Sequence, residues 1–313
     1  MRIVCTVIGD HHPELAATPA GTAALGDPTS RSLRDQHGRV ARDLRISLTD
    51  RCNLRCDYCM PAEGLAWQPR AQHLTAEELV RVVRLLATMG VRTVRLTGGE
   101  PLLRRDLPEL IAAIHGIPDI EDVALTTNGV LLAAQAKQLA DAGGARLNVS
   151  LDTADREGFR AITRRDDLGR VLDGLVEARR YPQLTPIKIN AVALRGVTEH
   201  ALDGLLAVAA SVDAELRFIE PMPLDAGHRW TPDDGLTGAA LRTLLAARGE
   251  LQELPAPASS TARRFALGSG GQVVGFISSV SEPFCAACDR LRLTADGQLR
   301  SCLFSHEEGD LRT

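Results

Sequence analysis

Between residues 44 and 219 two kinds of apolar repeat take turns along the chain, and that alternation restricts the fold more than any other feature. Segments with a period of two fall at 44–49, 92–97, 121–126, 146–151, 186–192 and 214–219. Segments with helical spacing lie between them, at 75–89, 106–115, 131–142, 168–180 and 199–211. Thr75 followed by Glu78 has the pattern of a capping box at the start of the first helix, and Gly90 stands where that helix should stop. Strands that alternate with helices pair in parallel through right-handed crossovers. About six such units are legible, fewer than a complete barrel needs. The predicted fold is α/β, a partial (β/α)6 barrel of parallel strands.

The two faces of those strands differ in kind. Leu44, Ile46 and Leu48 alternate with Arg45, Ser47 and Thr49, and Val94 and Leu96 alternate with Thr93, Arg95 and Thr97. Leu147, Val149 and Leu151 alternate with Asn148, Ser150 and Asp152, and Ile187 and Ile189 with Lys188 and Asn190. The apolar face belongs under the helices, so the polar one lines the interior. Burying that many polar groups in a dry interior would cost about several kcal/mol each. The interior is therefore expected to be a wet cavity holding a large polar ligand. An open antiparallel sheet with one solvated face is the alternative, and the intervening helices argue against it.

After residue 220 the pattern loosens. Pro221-Met222-Pro223 through Gly235 reads as a long loop, Thr237 to Arg248 as one more helix, and 263–267, 273–277 and 291–295 as short strands. This is expected to be a small C-terminal β-rich cap carrying a second cluster, not a continuation of the barrel. The expected division is a flexible leader at 1–34, the partial barrel at 35–220 and the C-terminal unit at 221–313. The leader is rich in Ala, Gly, Thr and Pro without periodicity.

Seven cysteines fall into two trios plus Cys5. Cys52, Cys56 and Cys59 lie within eight residues, a spacing that suits a loop around a metal centre better than one helix face. Three thiolates leave one coordination position open, as in a cubane iron–sulfur cluster with an exposed iron. A zinc site completed by His73 is the alternative. The second trio, Cys285, Cys288 and Cys302, likewise lacks an evident fourth ligand, although His306 is near in sequence and a zinc knuckle is open to it. Cysteines grouped this way point to metal binding in a reducing cytoplasm rather than to disulfides. Cys5, His11 and His12 read as incidental.

A net charge of -4 gives no general drive towards nucleic acid or an anionic membrane, and no apolar run approaches a membrane span. Yet Arg45, Arg95, Lys188, Arg290 and Arg292, together with Arg217, concentrate cations on the polar face. Such a set suits a polyanion, for example a nucleoside triphosphate. Gly98-Gly99-Glu100-Pro101 ends the second strand, where glycines allow close approach of a ligand and Glu100 can meet an ammonium. Asn128 and Asp152 stand at strand ends, where they either cap the next helix or touch a ligand.

The stretch from Thr49 to Pro61, with Tyr58 before the third cysteine, resembles the radical S-adenosylmethionine superfamily. Arg42-Asp43-Leu44-Arg45, Thr97 to Arg105, Leu125 to Gly129, Asn148 to Asp152, Arg217 to Glu220, Ser279 to Ser281 and Cys285 to Leu293 extend that likeness. From about Gly38 through Leu303 the chain resembles the GTP 3′,8-cyclase family, which opens molybdenum cofactor biosynthesis. The resemblance implies two [4Fe-4S] clusters and S-adenosyl-L-methionine as cofactors. It puts Cys52, Cys56 and Cys59 on the first cluster, whose open iron chelates S-adenosylmethionine. Cys285, Cys288 and Cys302 hold the second, whose free iron binds guanine. Tyr58, Gly99, Ser150 and Met222 are implied to contact S-adenosylmethionine, and Arg45, Arg95, Thr126, Lys188, Arg290 and Arg292 to contact GTP.

The same resemblance implies a radical conversion of GTP to (8S)-3′,8-cyclo-7,8-dihydroguanosine 5′-triphosphate, carried by the cofactor rather than by a catalytic side chain. It implies a cytoplasmic protein, with neither nucleic-acid nor membrane partner. It is compatible with a homodimer, and with hand-off of product to cyclic pyranopterin monophosphate synthase. Family members continue past the last cysteine to a Gly-Gly tail that enters the active site, whereas this chain stops at Thr313. The expectation is that it binds both clusters and cleaves S-adenosylmethionine but cyclises GTP poorly. Two other readings stay open, another two-cluster radical enzyme such as a peptide maturase, and a zinc-binding module without catalysis.

Overall fold

The computed structural model describes residues 32–35, 37–224, 230–257, 259–305 and 307–312. The expected leader up to residue 31, with Cys5, His11 and His12, lies outside the described residues, as does His306.

The first part of the chain runs β1 (Asp43–Ser47), α1 (Ala76–Thr88), β2 (Thr93–Thr97), α2 (Leu107–His115), β3 (Asp122–Thr127), α3 (Leu132–Asp141) and β4 (Arg146–Ser150). It continues with α4 (Arg156–Thr163), α5 (Leu168–Ala178), β5 (Lys188–Val192), α6 (Thr198–Ser211) and β6 (Glu215–Ile219). The C-terminal part adds α7 (Gly238–Ala246), β7 (Leu251–Leu254), β8 (Arg263–Leu267), β9 (Gln272–Ile277), β10 (Arg290–Leu293), β11 (Gln298–Arg300) and β12 (Gly309–Asp310). The six expected strands form, each paired in parallel with the next from β1 to β6. The capping box also forms: the Thr75 hydroxyl accepts from the Glu78 amide, and the Thr75 amide donates to the Glu78 carboxylate.

Apolar strand residues such as Leu44, Ile46, Leu96, Leu147 and Ile189 are buried against Leu79, Val83, Leu110, Ile111 and Leu175 of the helices. Each such side chain removed from water is worth about 1.5–3 kcal/mol. The other face is the interior. The charge of Arg217 on β6 helps to lower the pKa of Arg95 on β2, although four strand spacings separate them. In a flat sheet those spacings would total about 19 Å, so the sheet must curl to bring the two cations within reach.

The C-terminal strands are β-rich as expected, but they do not stand apart as a cap. Among the described residues all strands form one sheet, in the order β12-β11-β10-β1-β2-β3-β4-β5-β6-β9-β8-β7. β10 pairs in parallel with β1 and β9 in parallel with β6, so the C-terminal part takes both edges of the barrel sheet. The physical reason is backbone pairing: the outer edges of β1 and β6 would otherwise leave rows of amide and carbonyl groups unsatisfied. The segment between β9 and β10 crosses from one edge to the other and carries Cys285 and Cys288.

Two residues of the expected leader pair with the barrel. The Leu33 amide donates to the Met89 carbonyl, and Arg34 bridges Val40.

Candidate functional site

Cys52, Cys56, Cys59, Tyr58, Gly99, Thr126 and Ser150, together with Asn128 and Asp152, line one cavity of about 220 Å³ at the carboxyl ends of β1 to β4. The loop after β1 is shaped by its own backbone and by Arg55, whose guanidinium donates to the carbonyls of Cys52 (2.7 Å) and Leu54 (2.8 Å). It is docked on the end of α4, where the Arg55 and Asp57 amides donate to the Thr163 and Ile162 carbonyls. Arg164, in the left-handed region at φ 56°, closes the clasp by donating to the carbonyls of Arg55 and Met60. α4 was not legible in the sequence, yet its Phe159 and Ile162 form the apolar wall of the cavity.

The glycines after β2 are needed for a reason other than the one expected. A Cβ on Gly99 would sit 2.2 Å from the Arg51 carbonyl oxygen, so the close approach is to the chain's own cysteine loop. There the Gly99 amide donates to Thr49 and the Glu100 amide to Arg51. Glu100 does not offer its carboxylate to an ammonium. It is 0% exposed, and it accepts from the Leu102 amide (2.9 Å), the Thr127 hydroxyl (2.7 Å) and the Asn128 amide (2.7 Å). Burial raises its pKa.

Asn128 and Asp152 cap no helix; Leu131 and Asp155 occupy those positions. Asn128 instead donates to the Asn53 side chain at 2.7 Å, tying β3 to the cysteine loop. Asp152 accepts from the Tyr58 hydroxyl and from the Val192 amide, both at 2.8 Å. Burial pushes the Asp152 carboxyl up to about 6 and the Tyr58 hydroxyl well above its ordinary range.

Burial likewise pushes all three cavity thiols up, Cys56 most, and outweighs the pull of Arg55 on Cys52 in the other direction. Such thiols ionise only against a metal. Three of them on one cavity, with room beside them, fit a three-cysteine iron–sulfur cluster that has a ligand at its fourth corner. His73 is turned to Asp50, at 3.4 Å.

Below the cavity, towards the amino ends of the strands, the interior is cationic. The register sets Arg45 beside both Arg95 and Arg292. Lys188 is one strand from Asn148 and pairs opposite Glu215. Burial pushes Arg95 and Arg292 down to about 10 and Lys188 down to about 8, with the neighbouring cations adding to each fall; Arg45 is lowered by burial too. Among the described residues Arg95, Arg292 and Lys188 make no ion pair with a carboxylate, and Arg45 only a 4.0 Å approach to Asp43. Arg217 is by contrast paired with Glu215, and Arg146, which the sequence reading passed over, with Asp122.

The second trio lies at that lower end. Cys285 and Cys288 immediately precede β10, and Cys302 follows β11, which runs back antiparallel to it. Burial raises the Cys285 thiol, and Cys288 and Cys302 raise it further, so the three are neighbours. Arg290 donates to Cys288 Sγ at 3.5 Å and to the Ser259 carbonyl at 3.1 Å, and Arg39 donates to the Cys285 carbonyl at 2.7 Å. Glu220 at the end of β6 anchors the approach to this trio, accepting from the amides of Gly238, Val280 and Ser281. Met222 is the exception among the expected residues: it follows β6, half-buried, and is not part of the cavity lining.

Residues 46–209 match the radical SAM superfamily, and residues 214–313 match the family described as Molybdenum Cofactor Synthesis C. Proteins named GTP 3′,8-cyclase are similar along most of their length. That of Mycobacterium sp. (strain KMS) is 48% identical over 305 residues, 95% of this chain and 87% of the relative. That of Streptomyces coelicolor is 48% identical over 283 residues, 90% of this chain and 83% of the relative. Among solved structures, Streptococcus suis SuiB bound to S-adenosylmethionine shares the fold, with a TM-score of 0.63 at 15% identity. That likeness covers 88% of this chain, which spans 64% of the SuiB chain.

Proposed function

Because the chain belongs to the GTP 3′,8-cyclase family of the radical S-adenosylmethionine superfamily, we propose that its interior holds GTP between two iron–sulfur clusters and directs its cyclisation. One observation carries this reading: the three-thiol cavity and a set of cations without carboxylate partners open onto the same interior face, with a second thiol trio beyond.

In this reading Cys52, Cys56 and Cys59 hold the first [4Fe-4S] cluster, and Tyr58, Gly99 and Ser150 border the S-adenosylmethionine site. When bound, these cofactors supply one-electron chemistry that removes hydrogen from the ribose 3′ carbon, so that this carbon joins carbon 8 of guanine in (8S)-3′,8-cyclo-7,8-dihydroguanosine 5′-triphosphate, the opening step of molybdenum cofactor biosynthesis. Arg45, Arg95, Lys188 and Arg292 neutralise the triphosphate, whose negative charge offsets the cost of burying like-charged groups together. Thr126 sits where cavity and cations meet. Cys285, Cys288 and Cys302 hold a second cluster, and Arg290, fixed on Cys288 and Ser259, keeps that end cationic. Held at both ends, the nucleotide loses the freedom that would let the sugar turn away from the cavity.

Residues 35–220 then act as the radical unit and 221–313 as the unit of the second cluster, the two sharing one sheet. A cytoplasmic setting, hand-off to cyclic pyranopterin monophosphate synthase and a homodimer complete the proposal.

The test is anaerobic reconstitution followed by reaction with GTP, S-adenosylmethionine and a reductant. The expected result is a brown protein with about eight irons that yields 5′-deoxyadenosine and the cyclised nucleotide in equal amounts. Cys56→Ala and Cys288→Ala should each lower iron by about half. Colourless protein holding only zinc, or 5′-deoxyadenosine formed without loss of GTP, would end the proposal.

A further inference from the structure

Two amides on adjacent strands remain unaccounted for by the cavity and the cations. Asn148 of β4 is 2% exposed, and its Nδ2 is buried without an acceptor. Asn190 of β5 has a buried Oδ1 without a donor. Both point inward, since their neighbours Leu147, Val149, Ile189 and Ala191 are buried on the helix side. The register puts Asn148 between Thr126 of β3 and Lys188 of β5, and Asn190 between Ser150 of β4 and Arg217 of β6. Thr126 and Ser150 line the three-thiol cavity, while Lys188 belongs to the cation set. The unpaired donor and the unpaired acceptor therefore stand on the boundary between the two.

A buried amide group left unpaired is costly, so the fold keeps this pair for a ligand. Phosphate is the wrong ligand, because it offers only acceptors and would be repelled by Asn190 Oδ1. A metal ion is wrong as well, because Asn148 Nδ2 is a donor. The pair needs a group that both accepts and donates, at adjacent points. Vicinal hydroxyls do this.

We propose that Asn148 and Asn190 form a subsite for the ribose diol of the substrate nucleotide, one hydroxyl accepting from Asn148 Nδ2 and one donating to Asn190 Oδ1. This rests on the reading of GTP as substrate and adds to it the element that selects a ribonucleotide. A triphosphate held by Lys188 and Arg95 places its sugar at this boundary, and the amide pair then fixes which face of the ring meets the cavity.

The experiment measures equilibrium binding of GTP and 2′-deoxy-GTP to anaerobic holoprotein with S-adenosylmethionine but no reductant. The unmodified chain should bind GTP about tenfold more tightly than 2′-deoxy-GTP, the equivalent of one hydroxyl bond to a neutral partner. Asn148→Ala and Asn190→Ala should each weaken GTP about tenfold. The variant at whichever residue faces the 2′-hydroxyl should leave 2′-deoxy-GTP within about twofold, and the other should weaken both nucleotides about tenfold; neither should change S-adenosylmethionine affinity, which also reports that the variants are folded. Equal affinity of the unmodified chain for both nucleotides would overturn the subsite while leaving GTP as substrate. So would a result in which both variants weaken the two nucleotides alike, or in which either weakens S-adenosylmethionine. An unmodified chain that binds neither nucleotide would overturn the GTP reading itself.

Discussion

Lys188 provides a quantitative handle on the cation set. In the empty protein its ammonium is pushed down to about 8, first by burial and then by Arg217 and Arg146. A bound triphosphate reverses the balance, because an adjacent polyanion favours the charged form and restores the pKa towards its usual value or above it. Binding above pH 8 must then be accompanied by uptake of one proton. The sign follows: affinity is fully present while Lys188 is already protonated, and it falls as pH rises through 8. At pH 9 about one Lys188 in ten is protonated, so GTP should bind about tenfold more weakly than at pH 7. Arg95 and Arg292, pushed down only to about 10, add little in that window. Titration of GTP into anaerobic holoprotein across pH 7–9.5 measures the effect. Lys188→Arg is the comparison, since a guanidinium stays charged throughout and GTP's own ionisation is common to both. The loss should vanish in the variant. An identical fall in Lys188→Arg, or none in the unmodified chain, would refute the assignment of Lys188 to the nucleotide.

Two further outcomes follow from single contacts. Gly99→Ala puts a Cβ 2.2 Å from a backbone oxygen of the cysteine loop, an atom that cannot rotate aside. It should cost about 3 kcal/mol by denaturant titration and lower iron bound by the first trio; full stability would mean that the loop is not held against β2. Glu220→Ala removes the acceptor shared by the Gly238, Val280 and Ser281 amides. It should destabilise the chain by about 3 kcal/mol and lower bound iron by about half, with the loss confined to the second trio. Retention of both clusters in that variant would disconnect Glu220 from the approach to Cys285.

Much of this protein is written in short-range pattern. Alternation along β1 to β5 marks both faces of each strand, because a strand's period depends on its own backbone alone. The first cysteine trio is equally local, all three ligands belonging to one loop. The second needed only the antiparallel return of β11 to bring Cys302 back beside Cys285 and Cys288. α4 escaped notice because its eight residues begin with Arg156 and Glu157 and show few apolar side chains. Its stability comes from packing Phe159 and Ile162 and from clasping the cysteine loop, neither of which is a propensity.

What the amino-acid order decided by itself was the set of building parts: parallel strands with one polar face, two thiol trios, and more cations than the interior can neutralise. Only the tertiary structure decided their closure. Pairing of β9 with β6 and β10 with β1 depends on contacts between segments far apart in the chain. So do the bond from Tyr58 to Asp152, the burial of Glu100 under Thr127 and Asn128, and the stranded amides of Asn148 and Asn190. A local pattern can say which way a side chain points, but what it meets there is set by the curl of the whole sheet.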